Sequence, residues 1–214
     1  MVADYKADFT KNIGAELDLN KRGLPFRKNN KPYDVWVSEI MLQQTKVDTV
    51  IPYYNAWMKK FPNIESVSEA SEESILKSWE GLGYYSRSRN FHKAAKIIIK
   101  KFNSKIPESW DDFRLLPGVG DYTAGAVLSI AFNKSYVAVD GNVKRVMARL
   151  TSRKKLSQHN LRFIKSKLFK FMDKNRAGDF NQAMMELGAC VCLPRNPKCE
   201  QCPINKICNA YISG

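Results

Sequence analysis

Four cysteines spaced Cys192-x6-Cys199-x2-Cys202-x5-Cys208 constrain this chain more than any other feature. All five cysteines fall between Cys190 and Cys208, whereas the disulfide framework of a secreted domain would be spread through the chain. Four thiolates on one Pro-containing loop can converge on a single metal centre without long-range folding. Zinc and an iron-sulfur cluster both accept four thiolates, and ligand type alone does not separate them. Cys190 stands outside the spacing and reads as a small buried hydrophobe rather than a fifth ligand.

The rest of the chain must supply a partner for a strongly basic surface. Thirty-five Lys and Arg against 21 Asp and Glu leave a net charge of +14, the sign that phosphate backbones attract. With 214 residues and 44% hydrophobic content the chain can fill a proper core, which argues against intrinsic disorder. No window approaches the roughly 18 apolar residues needed to span a bilayer. The first ten residues carry Lys6 with Asp4 and Asp8 and no apolar core, so neither a membrane span nor an export signal is expected. The expected location is the cytoplasm, in a bacterium alongside the nucleoid.

Apolar residues recur at i, i+3, i+4 throughout, and period-2 alternation is scarce, which predicts an all-α protein. Helices are expected over Asp34 to Gln44, from a capping-box-like start at Thr45 and Asp48 with a kink at Pro52, and over Glu69 to Glu80. Others are expected over Ser86 to Phe102, Trp110 to Leu115, Asp121 to Phe132, Asn142 to Leu150, Gln158 to Met172 and Asp179 to Ala189. Ser135 to Val139 is a short extended apolar passage, and a boundary is expected near residue 134. No repeat of solenoid period is present.

Three further motifs carry chemistry. Leu115-Leu116-Pro117-Gly118-Val119-Gly120 joins two helical patterns. Gly118 and Gly120 would let backbone amides approach a phosphate at a helix N-terminus; alone, such a turn is more often only a turn. Asp140, in Val139-Asp140-Gly141-Asn142-Val143, stands at a helix entrance, where an isolated Asp would be an N-cap. Glu39, in Ser38-Glu39-Ile40-Met41-Leu42-Gln43-Gln44-Thr45, lies one turn from Gln43 on the shoulder of a stripe containing Trp36 and Ile40. Partial burial there would raise its pKa and keep a general acid protonated near neutral pH. Arg87, Arg89, Lys93, Lys96, Lys100 and Lys101 decorate one helix as a solvated face or a phosphate track. His92 and His159 lack metal-ligand spacing.

The cysteine spacing resembles the 4Fe-4S loop of the endonuclease III and MutY superfamily of helix-hairpin-helix DNA glycosylases. Met41 to Thr45, Gly81 to Arg87, Leu115 to Gly120, Asp140 to Val146 and Asn181 to Gly188 together resemble the MutY-type adenine-specific branch over almost the whole chain. The resemblance implies a two-lobed all-α fold. Residues 24–134 would form a helical barrel with the hairpin, and 1–23 with 135–214 a second lobe bearing the cluster loop. A structural 4Fe-4S cluster on Cys192, Cys199, Cys202 and Cys208 is implied, and a monovalent cation at the hairpin.

By the same resemblance Glu39 is the acid that protonates adenine at N7, and Asp140 is the carboxylate that supports the oxocarbenium sugar. Tyr122 and Asn142 would stand around Asp140. Bifunctional relatives carry a Lys where this chain has Tyr122, so release of the base without strand scission is implied. Gln44 and Tyr84 would enter the duplex opposite the extruded base, and Leu82 would contribute to DNA binding. Arg22, Phe26, Arg27 and Gln182 would lie near the adenine, with Phe26 standing where MutY sequences often have Trp. The expected partner is double-stranded DNA with A opposite 8-oxoguanine or G, bound by a monomer. MutY proteins usually carry a further C-terminal Nudix-like domain, and this chain stops six residues after Cys208. Two other readings stay open: a thymine mismatch glycosylase, and a non-catalytic iron-sulfur DNA-binding module, for which the charge and the hairpin would suffice.

Overall fold

The computed structural model describes residues 9–10, 12–14, 22–152 and 158–213. Residues 1–8, on which the expectation of no export signal rests, lie outside them. Every regular element among the described residues is helical. The chain divides into two compact units, one of residues 23–132 and the other of residues 1–22 and 133–214.

In the unit of residues 23–132, α1 (Pro32–Met41) begins with Pro at its first position, where the missing N-H costs no helical bond. α2 (Val47–Lys60) follows with Lys46 as its cap residue and no side-chain cap bond. Thr45 is therefore not the cap that the Thr45/Asp48 pattern suggests. α3 (Ile64–Glu69), with an Asn63/Ser66 capping box, is a helix that the apolar spacing does not predict, and the helix expected over Glu69 to Glu80 is the shorter α4 (Glu72–Ser78), capped by Ser71. Extended backbone at Ala70 separates them, and the Ser71 hydroxyl satisfies the amide that a continuous helix would have bonded internally.

α5 (Ser86–Phe102), α6 (Trp110–Arg114) and α7 (Asp121–Phe132) complete the unit. α7 is buried through eight consecutive residues from Thr123 to Ile130, as expected of a helix with no polar face. It packs against α1 and α6, while α5 packs against α3 and α4. Trp36, at the centre, meets Phe91 and Phe113 edge-on at centroid distances of 4.8 and 5.0 Å. This is the favoured quadrupole geometry for aromatic pairs.

In the unit of residues 1–22 and 133–214, α8 (Gly141–Leu150) packs against α9 (Gln158–Phe171), α10 (Ala177–Cys190) and the short α11 (Asn209–Ile212). Phe9, Ile13, Val143, Met147, Ile164, Phe180 and Leu187 fill the core. Cys192, Cys202 and Cys208 pack against its edge, so the cysteine loop shares its foundation with α8 and α10.

Candidate active site and cluster-binding loop

Glu39 lies on a face of α1 that leaves almost nothing to water. Val35 through Met41 are all buried, and Glu39 itself is 6% exposed, deeper than its shoulder position in the sequence suggested. A carboxyl at that depth requires a polar partner. Tyr122, in the first turn of α7, supplies one by donating its hydroxyl to Glu39 Oε2 at 2.6 Å. α1 ends at Met41, short of the expected Gln44, and in the turn after it Gln43 Nε2 donates to Thr123 Oγ1 at 3.1 Å. Consecutive residues of α7 thus hold Glu39 and Gln43, a pairing that one-dimensional spacing does not reveal.

The turn ahead of α7 is built around Gly118, whose φ is +79°. A Cβ at this position would come within 2.9 Å of Asn90 Cβ, so the left-handed backbone and the neighbour on α5 both require glycine. The Val119 amide closes on Leu116 O at 3.1 Å. Arg114 donates from Nε to Asp121 Oδ1 at 3.0 Å and also bonds Val119 O. Gly118, Gly120 and Asp121 remain exposed, at the positively polarised start of a twelve-residue helix.

Asp140 is the N-cap of α8. Its Oδ1 accepts from the Val143 amide at 2.7 Å and its Oδ2 from Asn142 Nδ2 at 2.9 Å. The extended passage leading to it is clamped by Asn181, 2% exposed on α10. Asn181 Oδ1 accepts from the Ala138 amide at 3.0 Å, and its Nδ2 donates to Tyr136 O at 2.8 Å. Asn181 therefore substitutes for a neighbouring strand. Gly188, also on α10, faces Asn142 so closely that a Cβ would lie 2.5 Å from Asn142 Cβ.

Arg145 ties this carboxylate's surroundings to the cysteine loop. It donates to Asn142 Oδ1 at 2.8 Å, Gly188 O at 2.6 Å and Cys192 O at 2.8 Å. Arg149, one turn further along α8, reaches Cys192 Sγ at 3.3 Å and Leu193 O at 2.7 Å. The loop itself is a succession of tight turns, with the Cys202 amide bonded to Cys199 O, that of Asn205 to Cys202 O, and that of Cys208 to Asn205 O.

All four cysteines of the spacing line one cavity of about 380 Å³, with Arg149 and Tyr211 among the other walls. No three His, Cys, Asp or Glu side chains among the described residues meet closely enough to hold a single ion. Four thiol groups lining one shared space fit the four-thiolate ligand set of an iron-sulfur cluster. Burial pushes the Cys202 thiol up to about 11, because it disfavours the charged thiolate. Cys190 is absent from the cavity wall. It is half-buried on α10 rather than a buried hydrophobe, with Sγ 3.9 Å from Glu186 Oε1.

Of the residues expected near the base, Gln182 is 4% exposed on α10, and Arg22 makes a two-pronged ion pair with Glu186 through Nε and Nη2. Glu186 is a partner that the sequence expectations do not include, although its spacing of one turn from Gln182 sets both on one helix face. Phe26 is buried against Tyr54, ring edge to face at 5.6 Å, with half-buried Arg27 beside it in a single 3₁₀ turn. Gln44 and Tyr84 are exposed and both have positive φ, +56° and +47°. Leu82 is buried at 5% exposure.

The basic face expected on α5 needs one correction. Arg89, Lys93, Lys96, Lys100 and Lys101 are exposed, but Arg87 is buried, 8% exposed, with its guanidinium in a cage of carbonyls. Arg89 pairs with Glu72 at 3.1 Å.

A helical chain that presents a Pro-Gly-x-Gly hairpin ahead of a buried helix, caps a helix with Asp140 and closes on a four-cysteine cavity has the build of the helix-hairpin-helix repair glycosylases. Comparison with known proteins agrees. Residues 37–170 match the HhH-GPD superfamily base excision DNA repair proteins, and residues 192–208 match the iron-sulfur binding domain of endonuclease III. The chain belongs to the HhH-GPD superfamily, and its cofactor is a 4Fe-4S cluster.

Among curated relatives, the adenine DNA glycosylase of Buchnera aphidicola subsp. Baizongia pistaciae is 44% identical over 91% of this chain and 56% of its own length. That of Mus musculus is 43% identical over 98% of this chain and 43% of its own. The chain thus spans about half the length of these relatives. Among solved structures, a thermostable thymine-DNA glycosylase superimposes with a TM-score of 0.91 at 27% identity, covering 100% of this chain and 99% of its own. An endonuclease III-DNA covalent intermediate gives 0.80 at 23% identity over 97% of each chain, a likeness of fold.

Proposed function

We propose that the chain is a monofunctional DNA glycosylase that releases adenine mispaired with 8-oxoguanine or guanine in base excision repair. The observation that carries this reading is the buried carboxyl of Glu39 with the Tyr122 hydroxyl donated to one of its oxygens. Glu39 enters the reaction protonated and passes its proton to adenine N7. The C1′–N9 bond breaks with its electron pair moving to the purine, and the phenol hydrogen bond stabilises the carboxylate that Glu39 becomes.

Asp140, held by the Val143 amide and Asn142, supports the oxocarbenium sugar as a carboxylate until water adds at C1′ and gives up its proton to the Glu39 carboxylate, restoring the acid. With a phenol at residue 122 in place of an amine, the product is an abasic site in an uncut strand. The hairpin at Gly118 and Gly120 holds one backbone phosphate, with a monovalent cation there, and Gln44 and Tyr84 fill the stack left by the extruded base. Arg22, Phe26, Arg27 and Gln182 bound the adenine. Cys192, Cys199, Cys202 and Cys208 hold the cluster, which when bound supplies rigidity to the loop.

A second reading, thymine release from a mismatch, is favoured by the overlap with the thermostable thymine-DNA glycosylase. Adenine is preferred because the relatives at 40 to 44% identity are adenine DNA glycosylases. Chromatography of the free base released from duplexes carrying A or T opposite G separates the readings. Free adenine is expected; free thymine, or no base from either duplex, would overturn the assignment.

A further inference from the structure

Arg87 is the most heavily bonded buried cation among the described residues, and none of the roles proposed above employs it. Its Nη1 donates to Ile40 O at 2.9 Å, Met41 O at 2.8 Å and Gln43 O at 2.6 Å. Its Nη2 donates to Leu82 O at 3.3 Å, Gly83 O at 3.2 Å and Thr45 Oγ1 at 3.3 Å. The rings of Trp79 and Tyr84 flank the guanidinium with centroids 5.3 and 5.4 Å from Cζ. The first set of acceptors is the end of α1 and the loop after it; the second set, apart from Thr45, is the loop before α5.

Two consequences follow from this geometry. A cation at the end of α1 satisfies carbonyls that no intrahelical amide reaches and complements the helix dipole. The planar fork also spans two loops that are distant in sequence, which a lysine ammonium could not do from one point. In each loop the residue following a bonded carbonyl is in the left-handed region: Gln44 after Gln43 and Tyr84 after Gly83. For non-glycine residues that conformation is sterically disfavoured, so it persists only where neighbouring bonds hold it. Both side chains are exposed, Tyr84 by 55%.

We propose that Arg87 is a positioning residue that couples the 42–45 and 81–84 loops, fixing Gln44 and Tyr84 as one rigid wedge. The proposal rests on the reading of those two residues as the groups that enter the duplex.

The test uses the whole iron-loaded protein and a duplex with 2-aminopurine beside an A opposite 8-oxoguanine mispair, whose fluorescence rises when the stack opens. Tyr84→Ala, Arg87→Lys and the double variant are compared with wild type. Arg87→Lys is expected to lower the fluorescence rise about tenfold, by loss of charge-assisted bonds, while affinity for undamaged duplex stays within about twofold because phosphate contacts carry it. The double variant is expected to be no worse than the more severe single variant, because Arg87 acts through Tyr84.

A normal rise with Tyr84→Ala would remove the wedge reading and the proposal with it. Loss with Tyr84→Ala but a normal rise with Arg87→Lys would overturn the proposal alone, as would additive losses in the double variant. If Arg87→Lys does not fold, Thr45→Val deletes one acceptor and leaves the guanidinium. It is expected to lower the rise by about twofold or more, and an unchanged rise would overturn the coupling.

Discussion

The Tyr122 hydroxyl donates to Glu39 Oε2 at 2.6 Å, joining the first turn of one buried helix to the last turn of another. A phenol in this position stabilises the carboxylate that a general acid leaves behind, so its contribution falls on the chemical step rather than on binding. Tyr122→Phe removes the hydroxyl and keeps the ring. Single-turnover adenine release at saturating enzyme is expected to slow about tenfold to a hundredfold, the worth of a hydrogen bond to a charged group, with duplex affinity unchanged. An unchanged rate would separate Tyr122 from the acid step.

Gly188 lets α10 approach the N-terminus of α8, where Asn142 and Asp140 are bonded to each other. Gly188→Ala would bring a Cβ to 2.5 Å from Asn142 Cβ. The neighbour must move, at a cost of about 1–3 kcal/mol typical of overpacking. A lowered Tm and a fall in base release larger than the fall in DNA affinity are expected. Full activity in Gly188→Ala would show that the Asn142–Asp140 bond tolerates displacement.

The sequence made the helical class and most helix positions legible: Ser86–Phe102 and Asp121–Phe132 stand where the apolar period sets them. The start of α4 at Glu72 rather than Glu69 is not visible there, because a serine cap in a polar run looks like any surface serine until the backbone around it is known. Arg87 was hidden for a related reason. In Ser86-Arg87-Ser88-Arg89 it is indistinguishable from a surface charge, since its acceptors are backbone carbonyls, which every residue type carries alike. At the candidate site, the resemblance to the glycosylase superfamily singled out Glu39, Tyr122, Asp140 and Asn142. The Tyr122 to Glu39 bond, the Asn181 clamp and the Arg145 bridge to Cys192 depend on contacts between distant segments, for which spacing holds no signal.

His92, 4% exposed on α5, titrates below the ordinary imidazole value, mainly because burial disfavours its charged form. Lys96 acts in the same direction, and backbone bonds to Ala70 and Ser68 and the charge of Glu72 oppose it. A depressed imidazole means that the unfolded chain binds the proton more tightly. Stability is therefore fully present above the unfolded value of about 6.5 and declines as pH falls from there toward the folded value. Thermal melting of wild type is expected to drop between about pH 7 and pH 5, and His92→Gln should flatten that slope. Parallel slopes for the two proteins would remove His92 as the source.

Cys199→Ser removes one thiolate from the cavity wall shared by Cys192, Cys202 and Cys208. The purified variant is expected to lose most of the broad visible absorption of thiolate-bound iron and to melt at a lower temperature, because the loop packs on the core of its unit. A colourless wild-type protein carrying zinc would contradict the cluster fit.

The two-carboxyl account stands on Glu39 as the proton donor. Free adenine released from a duplex with A opposite 8-oxoguanine or G, measured for wild type and Glu39→Gln at equal iron content, tests it most directly. The account predicts near-complete loss of release with duplex binding preserved. Release at the wild-type rate by Glu39→Gln would contradict it.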